Sequence, residues 1–226
     1  MSRRGLDEIV EAAGGGHLHE VVAGLARQAN LPALERRHDR RSVIAAFAFV
    51  NGLLSIAVMS AVAWVTGQPF VFPSLGPTAF LLFYTPLAPS SSPRNTICGH
   101  GIACAAGYGA LAAFGLLGAG PTVGGGVSPA RIGAAAVSLA VTAGAMAWLS
   151  LAHPPAGATT LIVSLGILRT PGQLGVLMLG VLIISAQGVL INRAAGLDYP
   201  WWTPRRRVPG RPGMVPPPPA EPPWAE

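Results

Sequence analysis

From residue 42 onward the chain alternates long apolar runs with short polar breaks. Residues 43–66 form an apolar run longer than the roughly 20 residues a helix needs to cross a bilayer. Gly67-Gln68-Pro69 ends it, and a shorter apolar segment, residues 70–87, contains Pro73-Ser74-Leu75-Gly76-Pro77-Thr78 near its start. A polar stretch from Pro89 to Asn95 leads to a second long run, residues 96–119, and Pro121 to Gly126 reads as a flexible turn. The third run, about residues 129–152, meets His153-Pro154-Pro155-Ala156-Gly157-Ala158-Thr159-Thr160, which opens another short segment ending near Leu168. After the turn Arg169-Thr170-Pro171-Gly172, residues 173–191 make the last long run. The expected fold is an all-α polytopic membrane helix bundle.

The two short segments match. Pro73 to Leu82 aligns without gaps on Pro154 to Val163, so that Pro73 falls on Pro154, Gly76 on Gly157 and Thr78 on Thr159. The expected architecture is therefore two internal repeats, about 43–119 and 129–192, each with a short broken or re-entrant helix: four full spans plus two half-helical segments. If the short segments re-enter, the chain crosses four times and the halves run parallel. If they cross as extended strand plus half-helix, it crosses six times and the halves are inverted. Small residues also recur every four positions, as Gly101, Ala105, Gly109 and Ala113 and as Ala136, Ala140 and Gly144, which predicts close helix packing along those stripes.

Charge sharpens the picture. Only 11% of residues are charged, against about 25% for an ordinary soluble domain, and mean hydropathy is +0.50. All nine acidic residues lie outside residues 42–197, where the only charges are Arg94, Arg131, Arg169 and Arg193. The basic clusters Arg36, Arg37, Arg40, Arg41 and Arg205, Arg206, Arg207 flank the apolar part, a positive-inside pattern that puts both termini in the cytoplasm of a multi-pass protein of the cell (inner) membrane. It explains a pI near 10.6 without nucleic acid. Residues 1–41 read as a polar, amphipathic cytoplasmic segment with no cleavable signal peptide, 42–197 as the transmembrane domain, and 198–226 as a Pro-rich disordered cytoplasmic tail.

Proline-glycine breaks in short apolar segments of two halves point to a transport site. The first N–H groups of a helix lack intrahelical partners and carry partial positive charge, so two such starts brought together suit a small anion. The candidate pore residues are Pro73, Ser74, Gly76, Thr78, His153, Pro154, Pro155, Gly157, Thr159 and Thr160, with Arg94, Asn95, His100 and Arg169 as entrance or accessory groups. His153, immediately before two prolines, is expected at a helix entrance rather than inside a helix. Cys98 and Cys104 read as buried thiols, and His100 with Cys104 is too small a set to argue for a metal. Neither a metal nor a cofactor is expected.

With His153-Pro154-Pro155 in view, the chain resembles the HPP family of integral membrane proteins, named for that tripeptide. Gly76-Pro77-Thr78-Ala79, Pro93-Arg94-Asn95 and Gly99-His100 resemble its other characteristic stretches, and the likeness covers roughly residues 40–195. The resemblance implies a small multi-pass protein with four transmembrane segments, and plant and cyanobacterial relatives are associated with nitrite transport. The leading expectation is a channel or transporter, not an enzyme, for nitrite or a similar small oxyanion. It would be surrounded by membrane lipid and would form a homo-oligomer, because the membrane part is small for enclosing a pore alone. The alternative is a non-transporting membrane scaffold or partner subunit acting through the tail around Pro216 to Pro219.

Overall fold

A computed structural model describes residues 30–122 and 126–204. The expected amphipathic pattern of the first 29 residues, Arg205 to Arg207 and the rest of the Pro-rich tail lie outside the described residues. Among those described there are seven α-helices, one short 3-10 turn and no strand. In chain order they are α1 (Leu31–Arg37), α2 (Arg40–Thr66), α3 (Leu75–Tyr84), the 3-10 turn (Pro89–Ser91), α4 (Pro93–Ala113), α5 (Pro129–Trp148), α6 (Pro155–Ser164) and α7 (Pro171–Ala194). Four of these, α2, α4, α5 and α7, are long and apolar enough to span a membrane. The protein is a multi-pass membrane protein.

Local chemistry sets the helix ends more sharply than hydropathy does. The Asp39 carboxylate accepts from the Ser42 backbone N–H at 2.9 Å, so α2 begins at Arg40, three residues before the apolar run. That bond also holds the Asp39 carboxyl below its usual pKa. Ser92 caps α4 with Pro93 in its first turn, moving the start back from the expected Thr96; the helix stops at Ala113, and Gly115 follows with φ +67°. Thr170 and Gln173 form a reciprocal capping box that starts α7 at Pro171. Helix α5 ends at Trp148, short of the expected Ala152, with Ser150 at φ 54°.

Helix α4 is the hub and packs on α5, α6 and α7, while α3 packs on α2 and α7. Hydrogen bonds place the ends. The Leu31 N–H donates to Ala195 O at 2.9 Å and the Arg94 N–H to Trp202 O at 3.1 Å, so the starts of α1 and α4 lie beside the end of α7. The Tyr199 hydroxyl donates to Ser91 O at the same end. At the opposite end, Thr122 donates to Leu165 O from both its N–H and its hydroxyl. Trp64, Trp148, Trp201 and Trp202 are exposed near helix ends, as interfacial aromatic anchors would be.

One packing expectation is corrected. Ala105, Gly109, Ala113, Ala136, Ala140 and Gly144 all lie on exposed faces of this chain. The seam of α4 runs instead one face round, through Gly99, Ala103 and Gly107. A Cβ on Gly107 would lie 2.7 Å from Val163 Cβ and 3.0 Å from the Thr160 backbone oxygen. On α5 the buried row is Arg131, Ala134, Ser138, Thr142 and Met146. The polar residues of the α5 row need protein partners more than an alanine facing lipid does.

Candidate functional site

Where α3, α4 and α6 meet, the chain buries a cluster of polar side chains. His100 lies two turns into α4, and His153 lies in the extended residues leading to α6, with the ring centroids 5.0 Å apart. Both rings are fully buried. Thr78 Oγ1, in the first turn of α3, stands 3.1 Å from His100 Nε2 and 3.3 Å from His153 Nε2. On the other side of the His100 ring, Nδ1 is 2.8 Å from Thr159 Oγ1, in the second turn of α6. Two threonines at matching places in the two short segments therefore grip one imidazole. His153 Nδ1 donates to Ser90 O at 2.7 Å, with Thr96 Oγ1 farther off at 3.5 Å.

The backbone explains why these groups converge. Pro154 and Pro155 hold His153 out of the helix and start α6 directly after it. Gly99 lets that entrance close onto α4, since a Cβ there would sit 3.0 Å from His153 Cβ and 3.6 Å from Ala156 Cβ. A turn further along α6, Thr160 pairs with Thr142 of α5 at 2.8 Å. Every polar side chain at this junction offers a hydroxyl or an imidazole and none a carboxylate, so the site supplies hydrogen-bond donors without fixed negative charge.

Residues 37–200 match the family model described as HPP, transmembrane region. The chain belongs to the HPP family. No curated protein and no solved structure matches it.

In this HPP chain the sequence-derived candidates divide into groups. Thr78, His100, His153 and Thr159 come together, and Thr160 extends the cluster toward α5. Ser74 is fully buried at the start of α3, and its hydroxyl has no partner among the described residues. Pro73 and Gly76 lie on the exposed side of that start, where a Cβ on Gly76 would meet nothing within 4 Å. Pro154 is exposed and Pro155 buried, whereas Gly157 packs toward Leu139. Asn95 reaches Ala152 O at 3.3 Å, tying the start of α4 to the approach of His153.

The arginines separate to opposite ends. Arg94 lies at the end that holds α1, and Arg169 donates to Ala119 O at 2.7 Å at the other. The sequence reading missed two contributors. Thr96 joins the cluster, a polar residue one helical turn before His100. Arg131, only 3% exposed, donates to Ser164 O at 3.2 Å and Gly120 O at 2.6 Å, closing the end of α6. Its one legible signal was a charge inside an otherwise uncharged stretch.

Proposed function

We propose that the protein is a channel or transporter for a small inorganic anion, nitrite or a similar oxyanion, whose path runs past the starts of the two short helices. The observation that carries this reading is the convergence of Thr78 and Thr159 on His100, beside His153, in a stretch that contains no acidic residue. Ionisable groups are costly inside a membrane and mark function there more often than packing. The positive dipole ends of two helices, hydroxyls and imidazoles favour an anion and disfavour a cation, which needs oxygen ligands and counter-charge. The Leu75, Ala156 and Gly157 N–H groups at those starts already donate to Phe72 O, His153 O and Pro154 O. The cluster is fully buried, so on this reading passage requires the helices around it to part.

The same reading gives six crossings. The non-helical residues 67–74 with α3, and 149–154 with α6, each serve as one crossing, and the two halves are inverted repeats. Its support is that α3 ends and α4 begins at the end where α2 begins, while α6 ends beside Arg131 at the start of α5. Arg36, Arg37, Arg40, Arg41, Arg94 and Arg193 then share one face, assigned to the cytoplasm, against Arg131 and Arg169 on the other. In a background lacking Cys98 and Cys104, His38→Cys and Pro89→Cys should label from the same side of the membrane, and Val127→Cys from the other. Labelling of Pro89→Cys from the side opposite His38→Cys, with Val127→Cys on the His38 side, would return the chain to four crossings. The outward small-residue stripes of α4 and α5 favour a homo-oligomer, since such surfaces admit close approach of another helix.

Transport is tested by reconstitution. Proteoliposomes should take up nitrite, and His153→Ala should lower the rate at least tenfold, a loss of about 1.4 kcal/mol or more in barrier terms. Full uptake by His153→Ala, or none by the unaltered protein, would leave the scaffold reading in its place.

A further inference from the structure

Hydrogen-bond chemistry assigns the protons in the buried cluster. A carbonyl only accepts, so the 2.7 Å contact with Ser90 O requires the proton of neutral His153 on Nδ1, which leaves Nε2 a bare acceptor. Thr78 has one hydroxyl proton and three partners: Ser74 O at 2.9 Å, His153 Nε2 at 3.3 Å and His100 Nε2 at 3.1 Å. The first two only accept. With the hydroxyl proton given to either of them, His100 donates from Nε2 and its Nδ1 accepts from the Thr159 hydroxyl, the arrangement that satisfies the most contacts.

The neutral cluster is thus one proton short, because Thr78 can serve Ser74 O or His153 but not both. One added proton on His153 Nε2 completes it. The new N–H donates to Thr78 Oγ1, and the hydroxyl proton of Thr78 turns to Ser74 O, with no other bond made or broken. Ser74 O also takes the Thr78 backbone N–H at 3.4 Å, so the carbonyl is not stranded in the neutral state.

We propose that His153, Thr78 and His100 form a binding site for one proton, with the Thr78 hydroxyl as its switch. The other titratable and charged groups on the surrounding elements are few. Helix α4 carries Arg94 at its start, Cys98 before His100, and Cys104 and Tyr108 one and two turns beyond it; α3 has Tyr84 in its last turn, α5 has Arg131 in its first, and α7 has Arg193 in its last. Helix α6 has none, and beyond Ser90 the Tyr199 hydroxyl is bonded to Ser91 O. Helices α3 to α6 carry no carboxylate to balance the added charge, so a bound anion would, and each would strengthen binding of the other. That coupling rests on the transport reading; the proton site does not.

The test is ¹⁵N-histidine NMR of the full chain in lipid nanodiscs, with His153→Asn used for assignment. At neutral pH, His153 should carry its proton on Nδ1 and His100 on Nε2, and acidification should add one proton to the pair. Thr78→Val should remove the fixed tautomer of His100 and move proton uptake to lower pH, while Thr78→Ser should restore both. Should Thr78→Val fail to fold, the tautomers of the unaltered protein still decide. A neutral His153 protonated on Nε2, two protons taken up independently, or no uptake down to about pH 4 would overturn the site. Added nitrite should raise the pH of uptake. If it does not, the coupling falls while the site stands, and absent flux with the tautomers intact counts against the transport reading alone.

Discussion

Gly107→Leu should yield no folded protein. Gly107 lies against α6, and even a single methyl there would come within 3.0 Å of Val163 and reach the Thr160 backbone oxygen. One of those neighbours is backbone and the other a stiff β-branched side chain, so neither can swing aside. Gly107→Ala should therefore cost about 1–3 kcal/mol by overpacking, and leucine, with three further carbons, should pry α6 from the hub helix. The measurement is the melting temperature in mild detergent, read as loss of the monodisperse peak on size exclusion. Gly175→Ala on α7, outside both small-residue stripes and with nothing within 4 Å of its added Cβ, is the control and should melt like the parent. Equal effects at the two glycines would contradict the seam described for α4.

The second large effect belongs to Arg131→Leu. The guanidinium satisfies carbonyl oxygens of Ser164 and Gly120 at once, and it lies against Gly166, where a Cβ would come 2.7 Å from its Nη2. Leucine keeps much of the volume but leaves those carbonyls without donors at the buried end of α6. Hydrogen bonds to a charged group contribute about 1.5–3 kcal/mol each, so the loss should be about 3 kcal/mol or more. Lysine can reach one carbonyl but lacks the planar fork, and Arg131→Lys should fall between the two. Thermal melts of the three proteins under one detergent condition check the order. Because α6 carries Thr159 and Thr160, Arg131→Leu should also lower nitrite uptake, whereas Arg94→Leu should leave the melt nearly unchanged.

Much of this protein could be read from residue order. Lipid demands apolar side chains and internally paired backbone over whole spans, and that constraint writes itself into composition over long windows. The four long helices, the two short ones and the place of His153 outside a helix were legible for that reason, because a proline acts on its own backbone and its predecessor's whatever surrounds it. The matching of Thr78 with Thr159 was legible as well, although nothing in the pattern said that they would meet on His100.

What tertiary structure decided is which face of each helix turned inward. On α4, Gly99-Ala103-Gly107 and Gly101-Ala105-Gly109 are equally good stripes of small residues, since a four-residue period marks a face but not its partner. Only the packing of α6 against α4 selects the first. The contribution of Thr96, the bonds from Arg131 to the carbonyls at the end of α6, and the carbonyl of Ser90 depend likewise on groups far apart in the chain that come within 3.5 Å of one another. Local rules act on neighbours along the backbone, whereas the chemistry of the buried cluster acts across it.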